Sequence, residues 1–213
     1  MNLALFDFDG TITRGDTWTP FLRYAATRPR LIAAGVVLSP LMAGYTLGWI
    51  SARTSRPIVA RLAFAGRPAE DVRALGRQYA RDVLPRVVQP LARERIDWHK
   101  QQGDTVAVVS ASLDAYVAPW CESLGLAAIC TRLDERNGVL TGRYAGGECS
   151  GPAKVQRIRD RYDLGRYHVV YAYGDTDEDS EMLALAHEPY YRWEKLAAGT
   201  VLSSRHPAPA QRL

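Results

Sequence analysis

The chain has 213 residues, a length that suits one domain with a large insertion or two small domains. Hydrophobic residues make up 47% and charged residues 23%, as in ordinary water-soluble globular proteins. The formal net charge of +4 comes from scattered basic residues, which argues against a nucleic-acid-binding protein. The three cysteines and four histidines are widely spaced, which argues against a disulfide framework and against a zinc site. The first residues lack the features of a signal peptide, so we expect a cytoplasmic protein.

The first predicted element is a short buried strand within residues 1–12. Its apolar run Leu3-Ala4-Leu5-Phe6 leads directly into Asp7-Phe8-Asp9-Gly10-Thr11. Such a run is typical of a strand in a parallel sheet, and α/β sheets bind ligands just beyond the carboxyl ends of their strands. Two carboxylates this close repel one another unless a cation lies between them, which indicates a divalent metal site. The alternative is an acidic turn without a ligand.

Residues 17–102 are predicted to be helical throughout. Pro68-Ala69-Glu70-Asp71 has the proline and the acidic residues that favour a helix start, and apolar residues at spacings of three and four follow it. Pro85 is predicted to end this helix and to open the next one, which Gly103 ends. Because the helical block follows the first strand, we interpret it as a cap that is inserted into the sheet domain and covers its site.

The predicted cap contains a segment of twenty uncharged residues, 31–50. A helix of that length could cross a bilayer, but Gly and Pro residues interrupt the segment. A single crossing would also separate Asp7 from the site residues of the second half, so we expect no crossing. We expect two short helices, which either form the core of the cap or contact an anionic membrane surface. Six flanking arginines suit anionic headgroups: Arg23, Arg28, Arg30, Arg53, Arg56 and Arg61.

From residue 105 onwards, predicted strands alternate with predicted helices. The strands cover residues 105–110, 127–131 and 168–174, and the helices cover 113–124, 153–162 and 179–186. Between them, residues 132–145 are predicted to form a hairpin that turns at Asn137-Gly138. This alternation predicts an α/β fold with a doubly wound parallel sheet. The predicted domains are an α/β core of residues 1–14 and 103–213 and an all-helical cap of residues 15–102.

Three polar positions of the second half are expected at the same edge of the sheet. Ser110 ends one predicted strand, Asp175 follows another, and Lys154 lies at the start of a helix. Each position also has an ordinary structural explanation when it is judged singly. The serine could be a helix cap, the lysine could be a solvated charge, and the acidic run could be a charged helix cap. All parallel strands end at one edge, so these residues are expected to converge there with Asp7 and Asp9. Carboxylates, a hydroxyl and an ammonium group around one crevice suit phosphoryl transfer.

These residues resemble the four motifs of the haloacid dehalogenase superfamily of phosphohydrolases. The first motif is Asp7-Phe8-Asp9-Gly10-Thr11, and the second is the strand end Val108-Val109-Ser110. The third is Lys154, and the fourth is Gly174-Asp175-Thr176-Asp177-Glu178-Asp179. The motifs occur in order over residues 3–186, and the helical cap between the first two resembles the phosphoserine-phosphatase-like branch. In pairing these motifs with an apolar cap, the chain is also loosely similar to bacterial phosphatidylglycerophosphatases.

The resemblance implies a reaction through an aspartyl-phosphate. Asp7 would be the nucleophile, and Asp9 would protonate the leaving group and then activate water. Mg²⁺ would be the cofactor, held by Asp7, the main-chain carbonyl of Asp9 and Asp175, with Asp179 in support. The phosphoryl group would be bound by Thr11, Ser110 and Lys154.

Two residues depart from the phosphoserine-phosphatase pattern. Gly10 stands where those enzymes commonly carry Ser, and Asp16 stands where they carry a Glu that receives the amino group of the substrate. Asp16 is therefore either a substrate residue or the cap of the first helix.

The sequence predicts a Mg²⁺-dependent phosphatase that hydrolyses a phosphate monoester, either of a small metabolite or of a lipid. One alternative is a phosphotransferase or mutase on the same scaffold. Others are a non-enzymatic phospho-receiver module and a membrane-surface protein with a vestigial site. The receiver is disfavoured because receivers carry the phosphorylated Asp on a later strand and lack a large helical insertion.

Overall fold

The computed structural model describes residues 1–27 and 52–197 of the chain. Within these residues, seven strands form one sheet: β1 (Leu3–Phe6), β2 (Thr105–Leu113), β3 (Ala127–Arg136), β4 (Val139–Ala145), β5 (Val170–Gly174), β6 (Glu188–Tyr191) and β7 (Glu194–Lys195). The helices of the same residues are α1 (Trp18–Ala25), α2 (Ala52–Phe64), α3 (Ala69–Asp82), α4 (Leu84–Val87), α5 (Pro90–Gln101), α6 (Asp114–Ser123), α7 (Pro152–Arg161) and α8 (Ser180–Leu183).

The strand order β4-β3-β2-β1-β5-β6-β7 places β1 at the centre of the sheet. β1 runs parallel to β2 on one side and to β5 on the other, and Leu3 lies opposite both Thr105 and Val170. The strands that follow β1 in the chain are added first on one side of it and then on the other. Doubly wound sheets bind ligands in the crevice at the strand where this change of side occurs. A hydrophobic core covers each face of the sheet, so β1 is completely buried. The predicted doubly wound α/β fold is confirmed.

The helices that follow α3 begin at other residues than predicted, and two prolines are the reason. α3 begins at Ala69, as predicted. The prediction that Pro85 opens the next long helix is wrong, because this proline lies in the first turn of the four-residue helix α4. Pro90 opens α5 instead. Proline suits the first turn of a helix, where its missing N–H is not needed, so each proline starts a helix of its own.

The predicted hairpin is present, and its turn is formed by Asn137 and Gly138, which both have positive φ angles. β3 is longer than predicted because it continues from its parallel pairing with β2 into its antiparallel pairing with β4. The hairpin also pairs with the connection between α2 and α3. Main-chain hydrogen bonds of 2.8 Å join Gly66 to Leu140 and Ala69 to Gly138. Hydrogen bonds thereby join the hairpin to the end of α2 and the start of α3.

Two elements differ from the predictions near the C-terminal end of the sheet. β6 and β7 have no counterpart among the predicted strands, because strands of four and two residues leave too short a pattern. The helix predicted over residues 179–186 is shorter, since α8 covers Ser180–Leu183 after a 3₁₀ turn at Asp177–Asp179.

Helices of the predicted cap share a hydrophobic cluster with the core helix α6. The ring centroid of Phe21 in α1 lies 4.6 Å from that of Tyr116 in α6 and 5.3 Å from that of Tyr79 in α3. Gly76 lets α3 approach α6 closely, since a Cβ there would lie 1.9 Å from the carbonyl oxygen of Ala115. These contacts seat α1 and α3 on the core.

The predicted boundaries between core and cap, at residues 14/15 and 102/103, stay predictions. The apolar segment 31–50, expected as cap core or membrane contact, lies outside the described residues. Among those that are described, no helix is both long and apolar enough to cross a membrane.

His99 joins α5 to the sheet through two buried hydrogen bonds. Its Nδ1 lies 2.8 Å from Asp104 Oδ2, and its Nε2 lies 2.9 Å from the Tyr173 hydroxyl of β5. Burial lowers the pKa of His99, and Arg95 acts in the same direction, while Asp104 opposes them. The neutral imidazole is therefore the form that the fold favours.

We expect the contribution of His99 to the free energy of unfolding to decrease as the pH falls below about 6.5, the pKa that histidine has in an unfolded chain. Below that value the unfolded state binds a proton that the folded state still excludes, so stability rises with pH in this window. Urea titrations between pH 5 and 8 should show the difference between wild type and His99→Gln shrinking as the pH falls. A difference that is independent of pH would contradict the prediction.

Candidate active site

Polar side chains meet at the carboxyl edge of the sheet, where β1 and β5 end. Asp7 directly follows β1, and its N–H donates to the Tyr173 carbonyl of β5 at 2.9 Å. Asp175 directly follows β5, and Ser110 lies within β2. Lys154, in the first turn of α7, reaches Asp7. The structure thus brings Asp7, Asp175 and Lys154 together, as expected from parallel strands.

Asp7, Asp175 and Asp179 form an acidic cluster, in which each carboxylate offers one oxygen within 4.8 Å of the others. Burial raises the pKa of Asp7 well above its usual value, and Asp179 and Asp175 raise it further, against the opposing effect of Lys154. Burial and Asp179 likewise raise the pKa of Asp175 to about 7. Positive charge is therefore needed for Asp7 and Asp175 to be ionised at neutral pH.

Lys154 supplies part of this positive charge. Its buried Nζ donates to Asp7 Oδ1 at 2.5 Å and to Asp179 Oδ1. Burial opposes the charge of Lys154, but the two carboxylates outweigh it and hold the pKa of the ammonium group well above its usual value. Lys154 is therefore charged at neutral pH, and it stabilises the ionised form of Asp7.

Asp179 uses its second oxygen to hold the turn after β5. Oδ2 accepts hydrogen bonds from the N–H groups of Asp175 and Thr176 and from the Thr176 hydroxyl, each at 3.2 Å. Both oxygens of Asp179 are thus engaged, which suits a supporting residue better than a direct metal ligand.

The charges of the cluster fit a divalent cation. Three carboxylates and one ammonium group leave excess negative charge in a largely buried crevice. Carboxylate and carbonyl oxygens are the ligands that hard cations such as Mg²⁺ take. Asp7 and Asp175, with the Asp9 carbonyl as the predicted third donor, are the residues that could hold such an ion.

Asp9 is oriented by the start of α1 and by β2. Its Oδ1 accepts hydrogen bonds from the Thr17 N–H at 2.7 Å and the Thr17 hydroxyl at 2.5 Å, and its Oδ2 accepts one from the Ser112 hydroxyl. The Thr17 hydroxyl also lies 3.0 Å from the hydroxyl of Tyr116. Burial raises the pKa of Asp9, and Asp16 raises it further. A carboxyl group with a raised pKa and a fixed orientation suits acid–base catalysis.

The sequence motifs do not reveal Ser112 or Thr17. For Ser112 a signal exists, because alternate residues of a strand point to the same face and Ser110 lies two positions earlier. Thr17 has no comparable signal, since its contact with Asp9 depends on the turn Phe8–Ile12 and on where α1 begins.

The two hydroxyls predicted to bind phosphate have partners within the protein. Ser110 Oγ accepts a hydrogen bond from the Ser112 N–H at 3.0 Å and keeps its own proton to donate. Thr11 Oγ1 donates to Asp175 Oδ1 at 3.1 Å, so it orients this carboxylate. A phosphate-binding role for either hydroxyl stays a prediction.

Because Gly10 has no side chain, the turn after β1 can lie in close contact with the Asp175 carboxylate. The φ angle of Gly10 is +83°, and a Cβ at this position would lie 2.2 Å from Asp175 Oδ2. The serine that phosphoserine phosphatases commonly carry here would therefore displace a candidate metal ligand in this arrangement.

Asp16 caps helix α1. Its carboxylate accepts hydrogen bonds from the N–H groups of Trp18 at 3.0 Å and of Thr19 at 3.2 Å. This arrangement matches the helix-cap alternative, and a contact of Asp16 with substrate stays a prediction.

Arg56 of α2 lies beside the crevice. It is one of the arginines expected to suit anionic headgroups, but it forms ion pairs within the protein instead. Its guanidinium forms ion pairs with Glu148 at 3.4 Å and with Glu178 at 3.3 Å. Burial opposes its charge, but Glu178, Glu148 and the more distant Asp9 together raise its pKa. A charged residue of the predicted cap thus meets the turn that carries the fourth motif.

Comparisons with known proteins agree with the motifs. A family model of haloacid dehalogenase-like hydrolases matches residues 4–184. Protein CicA of Caulobacter vibrioides is 32% identical over 192 residues, which cover 89% of this chain and 85% of that protein. A histidinol-phosphatase of Neisseria meningitidis is 25% identical, with 88% of each chain covered. A phosphoserine phosphatase of Mycobacterium tuberculosis is 28% identical, with 85% of this chain and 61% of that protein covered.

Solved structures share the fold. A protein of unknown function from Bordetella pertussis superposes with a TM-score of 0.75 at 27% identity, with 89% of each chain covered. The match to the family model includes the positions of all four motifs. The chain therefore belongs to the haloacid dehalogenase-like hydrolases and is a phosphatase of that family.

Proposed function

We propose that the protein is a Mg²⁺-dependent phosphatase that forms an aspartyl-phosphate on Asp7. The observation that carries this proposal is the contact of Asp7 with Lys154 at 2.5 Å, beside Asp175 and at the end of β1. Lys154 favours the ionised form of Asp7, and an ionised carboxylate is the nucleophile that this chemistry requires. Mg²⁺ held by Asp7, Asp175 and the Asp9 carbonyl would supply positive charge for the phosphoryl oxygens.

Hydrolysis then takes two displacements at phosphorus. In the first, a carboxylate oxygen of Asp7 bonds to phosphorus as the ester P–O bond breaks, and the leaving oxygen takes the proton of Asp9. In the second, water attacks the phosphorus and gives a proton to the Asp9 carboxylate, and the bond to Asp7 breaks. Inorganic phosphate leaves, with Asp7 ionised and Asp9 protonated again. Thr17 and Ser112 orient Asp9 in both steps.

Ser110 and Lys154 would bind the phosphoryl oxygens, together with Thr11 as the family resemblance implies. Ser110 has a free hydroxyl proton, because its oxygen acts as the acceptor for Ser112. Lys154 gives two of its three N–H groups to Asp7 and Asp179, which leaves one for the substrate.

The first experiment measures hydrolysis of 4-nitrophenyl phosphate by the purified protein, before and after removal of divalent cations. We expect turnover that EDTA abolishes and added Mg²⁺ restores. Excess glycerol separates hydrolysis from transfer, since a hydrolase still releases one phosphate for each nitrophenol. A phosphate yield below the nitrophenol yield would indicate a phosphotransferase. Absent turnover together with sedimentation on anionic vesicles would favour a membrane-surface protein with a vestigial site.

As substrate we propose a small phosphorylated metabolite or a lipid phosphate. The charged groups of Arg56, Glu148 and Asp16 beside the crevice favour a polar leaving group. The uncharged segment 31–50 favours a lipid, in which case the protein would contact an anionic membrane from the cytoplasmic side. A comparison of kcat/KM for phosphoserine and histidinol phosphate with that for lysophosphatidate and phosphatidylglycerophosphate distinguishes the two classes.

Gly10→Ser is expected to lower kcat/KM for 4-nitrophenyl phosphate by about 10-fold or more, because the new side chain would displace Asp175 and a misplaced group is costly in catalysis. Gly15→Ser is the matched control, since a Cβ at Gly15 meets no atom within 4 Å. Steady-state kinetics of both variants check the prediction. Equal activities would show that the turn does not depend on glycine.

A further inference from the structure

Gln89 lies in the short connection between α4 and α5 and faces the turn after β1. Its side-chain Nε2 lies 3.1, 2.9 and 2.9 Å from the carbonyl oxygens of Gly10, Thr11 and Thr13, which share its two N–H donors. Its main-chain N–H donates to the carbonyl oxygen of Ile12 at 2.9 Å. All four carbonyl oxygens of residues 10–13 therefore accept a hydrogen bond from this one residue.

The main chain around Gln89 strengthens this contact. Val88 forms an isolated antiparallel bridge with Thr13, and the Arg14 N–H donates to the Val87 carbonyl at 2.9 Å. The turn needs such partners because Asp9 and Gly10 have non-helical backbone angles, so a regular helix cannot satisfy its carbonyl groups. A segment far away in sequence thus holds the shape of the turn.

The turn held by Gln89 touches the candidate metal ligands. The backbone of Gly10 packs against the carboxylate of Asp175, and the Thr11 hydroxyl donates to the same carboxylate at 3.1 Å. Asp9, whose carbonyl is the predicted third ligand, directly precedes residues 10–13. A shift of the turn would therefore move two candidate ligands relative to Asp7.

We propose that Gln89 is a positioning residue for hydrolysis, which fixes the turn of residues 10–13 so that Asp175 and the Asp9 carbonyl stand correctly around Asp7. The amide suits this task because it presents two N–H donors without a net charge. A carboxylate at the same place would put a negatively charged oxygen beside three carbonyl oxygens, which would repel it. The kinetic part of the inference rests on the proposed phosphatase function.

Three substitutions of Gln89 separate hydrogen bonding from packing. Gln89→Met keeps the approximate length and removes the donors, Gln89→Glu replaces the donors by acceptors, and Gln89→Lys restores donors on a longer chain. Gln78→Glu, at an exposed position within α3, is the matched control for the change of charge. Activity on 4-nitrophenyl phosphate is measured with saturating Mg²⁺, and thermal unfolding is measured alongside it.

We expect kcat to fall by about 10-fold to 100-fold in Gln89→Glu and Gln89→Met, with KM changed by less than about threefold, because the catalytic groups are misplaced while the site stays open to substrate. Gln89→Lys should retain more activity than Gln89→Met, since it still donates. A packing role would reverse this order, because methionine is closer to glutamine in shape. Activity of Gln89→Glu within twofold of the wild type, or this reversed order, would overturn the proposal.

Hydrogen exchange keeps the test independent of the reaction. In Gln89→Met, the amides of residues 8–14 should exchange faster than in the wild type, while those of β1 should be unchanged. If the wild type has no phosphatase activity, the proposed function fails and this exchange difference alone decides the inference. Unchanged exchange in residues 8–14 would overturn it. If Gln89→Glu does not fold, the comparison of the Met and Lys variants is decisive.

Discussion

Asp7→Asn is expected to abolish hydrolysis of 4-nitrophenyl phosphate while the protein stays folded. An amide oxygen is a far weaker nucleophile than a carboxylate, so kcat should fall by about 1,000-fold or more. The fold should persist, because the amide oxygen can still accept the hydrogen bond from Lys154 and because the change removes one of three like charges. Phosphate release and circular dichroism measure the two effects.

The control for this variant is Asp160→Asn, which makes the same chemical change at an exposed position of α7. It should leave kcat unchanged. Acid quenching with ³²P-labelled substrate should trap a labelled protein in the wild type and none in Asp7→Asn. Turnover of Asp7→Asn at the wild-type rate would refute a nucleophilic role for Asp7.

Lys154→Met is expected to cause a large loss of stability as well as of activity. The substitution leaves Asp7 and Asp179 in a buried crevice without their ammonium partner. Breaking a buried ion pair by removing one partner costs about 3–5 kcal/mol, which urea titration at pH 7 without divalent cations should detect. The loss should be smaller at pH 5, because Asp7 and Asp175, whose pKa values burial already raises, then take up protons.

A second substitution tests whether charge is the cause of this loss. Lys154→Met combined with Asp179→Asn should be more stable than Lys154→Met alone, because one of the repelling carboxylates is gone. Lys195→Met, at an exposed lysine of β7, should leave the free energy of unfolding nearly unchanged. A double variant that is less stable than Lys154→Met would show that packing, not charge, is what Lys154 contributes.

The parts of the site that follow from the parallel sheet could be predicted from the sequence. Asp7 and Asp175 directly follow buried strands, and such strand ends meet at one edge whatever the details of the fold. Lys154 could be placed there only together with these residues, because its helix is the one that precedes β5 in the chain. To place these residues at the edge, only the order of strands and helices along the chain is needed, and the hydrophobic pattern of the sequence predicts that order.

The residues that orient the site could not be predicted in the same way. Ser112 and Thr17 reach Asp9, and Gln89 reaches residues 10–13, through side-chain contacts between segments far apart in the chain or across an irregular turn. Only Ser112 leaves a local signal, its spacing of two residues from Ser110, and no spacing encodes the contacts of Thr17 and Gln89. The same limit explains the helix starts at Pro85 and Pro90, since two prolines five positions apart allow more than one division into helices.

The pairing of the hairpin β3–β4 with residues 66–69 restricts how the crevice can open. Three main-chain hydrogen bonds join the two segments, so a movement of α2 away from the crevice would carry the hairpin with it as one body. A hinge for this movement would lie where β3 leaves β2, at Thr131, because up to that residue the strand is held in the parallel sheet. The ion pair of Arg56 with Glu178 joins this body to the fourth motif and must break at the same moment. If α2 moves away from the crevice, helix and hairpin therefore move together, and changes at the hairpin tip would then act on a site far from them.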